Sequence, residues 1–280
     1  MSEQPGCVAC SSLYDIIEQI DRPVDVNYVP QEFHESPADP GDDSRITAAV
    51  QESVSDLEAA GCDPIAICYS TAGDALGEIH AERSTIRVWA VEDCTSALLV
   101  GEEPAEPPMK ATGTYYLTSG SIDHGIDPLK LYHGYLGTEH RLVDSFEQAA
   151  VSDEDTTATW YKGERYRELV ANPPVRDASV VDTFFGELLG YYCRVVLLDT
   201  GTLRPFHQEY AKDVGAFFER LTAEDTPDRS VEVAVEPASD AFIRAMLGDV
   251  PKRYESLITE VPPTMPIRDA HRAMGDRFRH

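Results

Sequence analysis

The stretch from Pro64 to Gly101, PIAICYSTAGDALGEIHAERSTIRVWAVEDCTSALLVG, narrows the choice of fold more than any other part of the chain. Two short apolar, β-rich runs, Ile65 to Cys68 and Ile86 to Ala90, each give way to small or polar residues and then to a helical spacing of apolar positions. The order is strand, helix, strand, helix. Repeated along a chain, it points to a mostly parallel sheet with helices on both faces, because parallel neighbours need a crossover between them. In such α/β sheets the strand-to-helix turns gather at the carboxyl ends of the strands, and ligands bind along that edge.

The rest of the chain fits the same pattern. Gly6 to Cys10 and Val24 to Val29 read as strands around a helix from Leu13 to Ile20, which Pro23 ends. A loop rich in proline and aspartate carries His34. Ser44 opens a helix to about Ala60, with Ile46, Val50, Val54 and Leu57 on one face, and Gly61 stops it. Further strands are expected at Thr114 to Leu117, Val195 to Leu198, Val231 to Val235 and Tyr254 to Val261. Helices are expected within Pro128 to Ala150 and at Trp160 to Val170, Val180 to Leu189, Pro205 to Leu221 and Ala238 to Leu247. The fold class is therefore α/β and Rossmann-like. We treat residues 1–280 as one domain, with a proline-rich stretch near 102–112 that could separate two lobes and a tail over 263–280.

Charge excludes some partners. Fifty acidic residues against 23 basic ones give a net charge of −27, a field that repels nucleic acid and anionic membranes. The acid is dispersed along the chain, which suits a cytoplasm of molar salt, where repulsion is screened over about 3 Å. No run of 18 apolar residues is present, so no membrane span is expected. The N-terminus MSEQPG has neither a basic nor an apolar leader region. Six cysteines in 280 residues are too sparse for a disulfide scaffold. The expected setting is a cytoplasm with reduced thiols.

The strand ends carry the candidate chemistry. They lead in turn to Cys10, to His34, to Ser70, Thr71 and Gly73, to Asp93 and Cys94, to Thr118, Ser119 and His124, and to Asp199 and Thr200. In one parallel sheet most of these would converge. Cys10 and Cys94 each begin a helix, where unpaired N–H groups favour thiolate. With His34 they could form a three-ligand site for a soft metal, as catalytic zinc does with an open fourth position. Two other readings stand beside it: buried, inert cysteines, or a reactive thiol. Ser70, Thr71, Gly73, Thr118, Ser119, Asp199 and Thr200 are the candidate contacts for a small-molecule ligand. The C-x-x-C of Cys7 and Cys10 has no second pair at a zinc-ribbon distance. His80, His133, His140 and His207 have no metal spacing among them and read as surface or core residues.

Six motifs in order resemble a known family: CVAC-SSLYD, the loop with Phe33, His34 and Pro37, ICYSTAG, VEDC-SALLVG, GTYYLTSG and RVVLLDTG. From about Cys7 to Pro263 the chain is similar to the domain of unknown function 1638. The resemblance implies a site of three cysteines and a histidine that holds zinc or an iron cofactor. In this sequence the matching positions are Cys10, His34, Ala72 and Cys94, with Thr114 and Thr118 on a Gly-Thr strand. Alanine stands where the third cysteine would be, and Ser11 stands where a glycine would follow Cys10. The resemblance also implies a link to corrinoid methyltransferase systems and one-carbon metabolism. Three functions remain open: a metal- or thiolate-based enzyme or methyl-transfer accessory protein, a small-molecule-binding protein without chemistry on the same edge, and an acidic interaction or regulatory protein.

Overall fold

The structure is a computed structural model that describes residues 4–29, 44–69, 76–101, 110–124, 127–138, 171, 173, 177–222 and 230–273. In chain order it contains β1 (Gly6–Cys10), α1 (Tyr14–Ile17), β2 (Asp25–Val29), α2 (Ser44–Ala60), β3 (Ile65–Cys68), β4 (Ile86–Trp89), α3 (Cys94–Leu99), β5 (Thr114–Leu117), α4 (Ser119–His124), α5 (Pro128–Leu136), α6 (Ala178–Leu189), β6 (Arg194–Asp199), α7 (Pro205–Thr222), β7 (Glu232–Pro237), α8 (Ala241–Met246), β8 (Ile258–Val261) and α9 (Ile267–Ala273). These fall into two compact units. Unit 1 is Met1–Met109 with Ala238–His280, and unit 2 is Lys110–Pro237. The second is therefore an insertion in the sequence of the first. The architecture is α/β and mostly parallel, as the alternation predicts, but the strands form two sheets where one was expected.

The sheet of unit 1 has the order β2-β1-β3-β4-β8. Its pairs are parallel except β4 with β8, which is antiparallel. Every residue of β1 and β3 is buried. That is why both read as unbroken apolar runs with no alternation. α2 lays Ile46, Val50, Val54 and Leu57 against Val8, Ile65 and Ile67 of one face. Burying such side chains contributes about 1.5–3 kcal/mol each. The helix ends in a Schellman turn: Cys62 N–H donates to the Leu57 carbonyl, Gly61 N–H to that of Glu58, and Gly61 adopts φ +90°. Gly6 is also required, because a Cβ there would meet Cys62 Cβ at 2.9 Å. On β4, Trp89 stacks with Phe242 of α8 at 6.3 Å.

Three local expectations change. The first helix is short, a 3-10 turn over Ser11–Leu13 followed by α1. The last strand begins at Ile258 rather than Tyr254, after a 3-10 turn at Lys252–Tyr254. The helix expected between β3 and β4 is absent from the described residues 76–85. Instead Leu76, Ile79 and Ala81 sink into the core, and the backbone there pairs with the tail. Thr264, Ile267 and Arg268 donate N–H bonds to the carbonyls of Ala81, Ile79 and Gly77. Tertiary pairing has taken the backbone groups that a helix would use internally.

Unit 2 holds a three-stranded parallel sheet, β5-β6-β7. Val195 and Leu197 of β6 pack with Tyr210, Val214, Phe217 and Phe218 of α7 and with Val181 and Phe185 of α6. α7 approaches β7 closely, since a Cβ at Gly215 would lie 2.6 Å from a methyl of Val233. The expected helix at Trp160 to Val170 and the stretch 139–150 lie outside the described residues. No helix among the described residues is long and apolar enough to cross a membrane.

Candidate functional site

In unit 1 the carboxyl ends of β1 and β4 bring two thiols together. Cys10 closes β1 and is 1% exposed. Ser12, in the turn that follows, donates its hydroxyl to Cys10 Sγ at 3.0 Å. From the β4 side, Asp93 caps α3 by accepting the Ser96 N–H at 2.8 Å, and this fixes Cys94 as the first residue of the helix. Cys94 hydrogen-bonds to Cys10, and its thiol is held well above the ordinary value. That hydrogen bond is the main cause, with burial and the nearby Cys10 and Asp93 adding to it, while Ser12 opposes them. The expectation that a helix start would lower this thiol's pKa is thus overturned for the isolated protein. A neighbouring sulfur and burial outweigh the end of a six-residue helix.

The other cysteines have separate places. Cys7 and Cys10 are three apart on a strand and so face opposite sides of the sheet. Cys7 instead hydrogen-bonds to Cys68 on β3, which together with burial raises the Cys68 thiol. Cys62 donates to Asp25 at 3.5 Å and is pushed up to about 11, chiefly by burial. Cys193 is exposed.

Unit 2 builds a second polar edge. After β5, Thr118 and Ser119 are buried; Asp199 at the end of β6 and Thr200 and Thr202 after it are half-buried. Ser119 Oγ lies 2.5 Å from Thr202 Oγ1, which lies 3.2 Å from Thr200 Oγ1. Asp199 accepts the Gly201 N–H at 2.8 Å. Behind the hydroxyls, His207 Nδ1 accepts the Arg204 backbone N–H at 2.9 Å. That nitrogen is therefore the lone-pair side of a neutral ring, so Nε2–H donates to Asp123 Oδ1 at 3.3 Å. Arg204 pairs with the other oxygen of Asp123. Burial opposes ionisation of Asp123, but His207 and the charges of Arg204 and His124 overcome it and hold the carboxyl below its usual value. Nearby, Asp127 caps α5 and receives the Tyr210 hydroxyl on both oxygens, at 2.8 and 2.7 Å. Lys130 lies 3.6 Å from the same carboxylate.

The family model described as protein of unknown function (DUF1638) matches residues 29–225. The chain belongs to that family. No curated protein and no solved structure matches it. The DUF1638 match covers parts of both units. Within this DUF1638 chain, Cys10 and Cys94 stand at or after strand ends of unit 1, whereas Thr118, Ser119, Asp199 and Thr200 stand at or after strand ends of unit 2. His34, Ser70, Thr71, Ala72 and Gly73 lie outside the described residues. Among the described residues, no third histidine, cysteine or carboxylate joins Cys10 and Cys94 within 4.8 Å. Asp123, Thr202, Arg204 and His207 carry no periodic signal. The one sequence cue was Pro205, a helix-starting residue, which makes Arg204 the cap and puts His207 where a capping-box side chain would reach back.

Proposed function

We propose that Cys10 and Cys94, together with His34, form a soft-metal site at the carboxyl-end edge of the unit 1 sheet. The observation that carries this reading is the hydrogen-bonded thiol pair, reached from two different strands of a parallel sheet. Two sulfurs bound to one tetrahedral zinc at about 2.3 Å lie about 3.8 Å apart, within the range of a thiol–thiol hydrogen bond. A hydrogen-bonded thiol pair of this kind suits zinc or iron. The three side chains leave a fourth position for a small-molecule ligand. Such a metal, when bound, supplies a Lewis acid that holds and activates a thiol or another soft nucleophile. Cys10 and Cys94 would supply the anionic ligands, Ser12 would steady Cys10 by its hydroxyl, and Asp93 would fix Cys94 through the cap of α3. The family resemblance points this chemistry toward methyl-group transfer beside a corrinoid methyltransferase system, and the dispersed acidic charge suits a salt-rich cytoplasm.

The test is metal content by mass spectrometry of protein purified without oxygen or chelator, beside Cys10→Ser, Cys94→Ser and His34→Ala. About one zinc or iron per chain, lost in both cysteine variants and weakened in the histidine variant, is the expected result. Wild-type protein that takes up no metal when supplied with zinc, at unchanged folding, would sink the reading and leave the pair as packing.

A further inference from the structure

The N-terminus of α7 carries an arginine, which has the wrong sign for that place. A helix N-terminus is a region of partial positive charge, and anionic or hydroxyl side chains are the groups that stabilise it. Arg204 directly precedes the helix. It is not used as a side-chain cap, because the reach-back bond is made by His207 Nδ1 to the Arg204 N–H. Its side chain turns instead to the buried Asp123, so the helix start is capped without it.

The side chain is anchored on one side and open on the other. Asp123 is 1% exposed and engages Arg204 Nη2, while the arginine side chain stays 43% exposed. The Phe206 ring lies 4.5 Å from the guanidinium carbon and holds its plane. Among the described residues, Asp123 engages Nη2, and the exposed part of the side chain is open to solvent.

Hydroxyls lie beside it. Ser119 and Asp123 are four residues apart on α4 and share a face, about 6 Å apart. Ser119 meets Thr202, and Asp123 meets Arg204 and His207. The two contacts stitch α4 to the segment after β6. They bring the Ser119, Thr202 and Thr200 hydroxyls and the guanidinium to the carboxyl ends of adjacent parallel strands, the edge where such sheets take ligands.

We propose that this edge is an oxyanion-binding site for the carboxylate or phosphate of a small molecule. Arg204 gives the planar N–H fork that matches two oxygens of either group. Thr200 and Thr202 give hydroxyls that rotate to donate, and the dipole of α7 adds to the field. Asp123 and His207 are positioning residues that aim the guanidinium. The site lies in unit 2 and stands or falls independently of the thiol pair.

Calorimetric titration of the full chain with inorganic phosphate, and separately with acetate, tests this at constant ionic strength set by sodium chloride. Saturable binding of one equivalent is expected. Preference for phosphate or for acetate tells which group the site takes. Thr202→Val and Arg204→Lys should each weaken binding about tenfold in protein that stays folded, the first by removing a hydroxyl and the second by removing the fork while keeping the Asp123 pair. Cys10→Ser should bind as the wild type does. No saturable binding of either anion, or wild-type affinity in both unit 2 variants, overturns the proposal.

Discussion

Replacing Glu58 by alanine should destabilise unit 1 by about 3–5 kcal/mol. The residue sits near the end of α2 and is only 8% exposed. Its carboxylate accepts three backbone N–H groups from the loop before β4: Glu82 at 3.2 Å, Arg83 at 2.5 Å and Ser84 at 2.8 Å. Hydrogen bonds to a charged group contribute about 1.5–3 kcal/mol each, and a buried donor left unpaired costs about 1–3 kcal/mol. The Ser84 N–H is fully buried and loses its partner outright. The other two are partly open to water, which recovers some of the loss. The sum falls below three full bonds for that reason. Glu58→Gln keeps one acceptor oxygen and should cost about half as much. The pH dependence has a definite sign. Burial alone would raise this carboxyl, but the three N–H groups and Arg83 bring it below its ordinary value of 4.5. The stabilisation is therefore complete above the unfolded-state pKa and is lost as pH falls through the folded-state value. Urea unfolding of wild type and both variants at pH 7 and pH 4, in the same salt, measures it. An alanine variant within about 1 kcal/mol of wild type at pH 7 would refute the reasoning, since that is the scale of a single exposed hydrogen bond.

Other outcomes follow from the same contacts. Asp123→Asn should lower the stability of unit 2 by about 1–3 kcal/mol and remove part of the acid sensitivity, because the folded aspartate titrates below its ordinary value and stabilises only above it; urea unfolding against pH reads both. Gly215→Ala should cost about 1–3 kcal/mol, since the new methyl meets Val233 at 2.6 Å; a melting temperature unchanged from wild type would contradict the close packing of α7 on β7. In thiol labelling of the metal-free protein, Cys193 should react at once and Cys7 and Cys68 only on unfolding, as their burial requires; peptide mass mapping reads the order.

Much of the fold is visible in the sequence because burial wrote it there. β1 and β3 are apolar at every position because both faces are covered, and α2 shows its stripe because only one face is. The cap residues Asp93 and Asp127 and the stop at Gly61 are likewise local chemistry. What did not show is pairing over distance. Leu76 to Ala81 has helical composition, yet its backbone is claimed by residues 264–268, which no local pattern announces. The division into two sheets is of the same kind, since strand period says which residues are buried and not which strand lies beside which. The Cys10–Cys94 pair was legible because Cys10 ends one strand and Cys94 begins the helix that follows another. The Asp123–His207–Arg204 group was not, because three unremarkable residues acquire their roles only when α4 meets the start of α7.

The insertion of unit 2 sets an order of events during synthesis. β4 leaves the ribosome with β3 already made, but its other neighbour, β8, lies beyond the whole of Lys110–Pro237. At about 5–20 residues per second, that neighbour arrives some ten to thirty seconds later. Meanwhile an apolar strand presents an open edge, the kind of surface that recruits wrong partners. Arg87, in the middle of β4, puts a charge on that edge until Glu260 of β8 arrives to meet it. The insert can close from its own residues while the sheet that brackets it in sequence waits for its last strand.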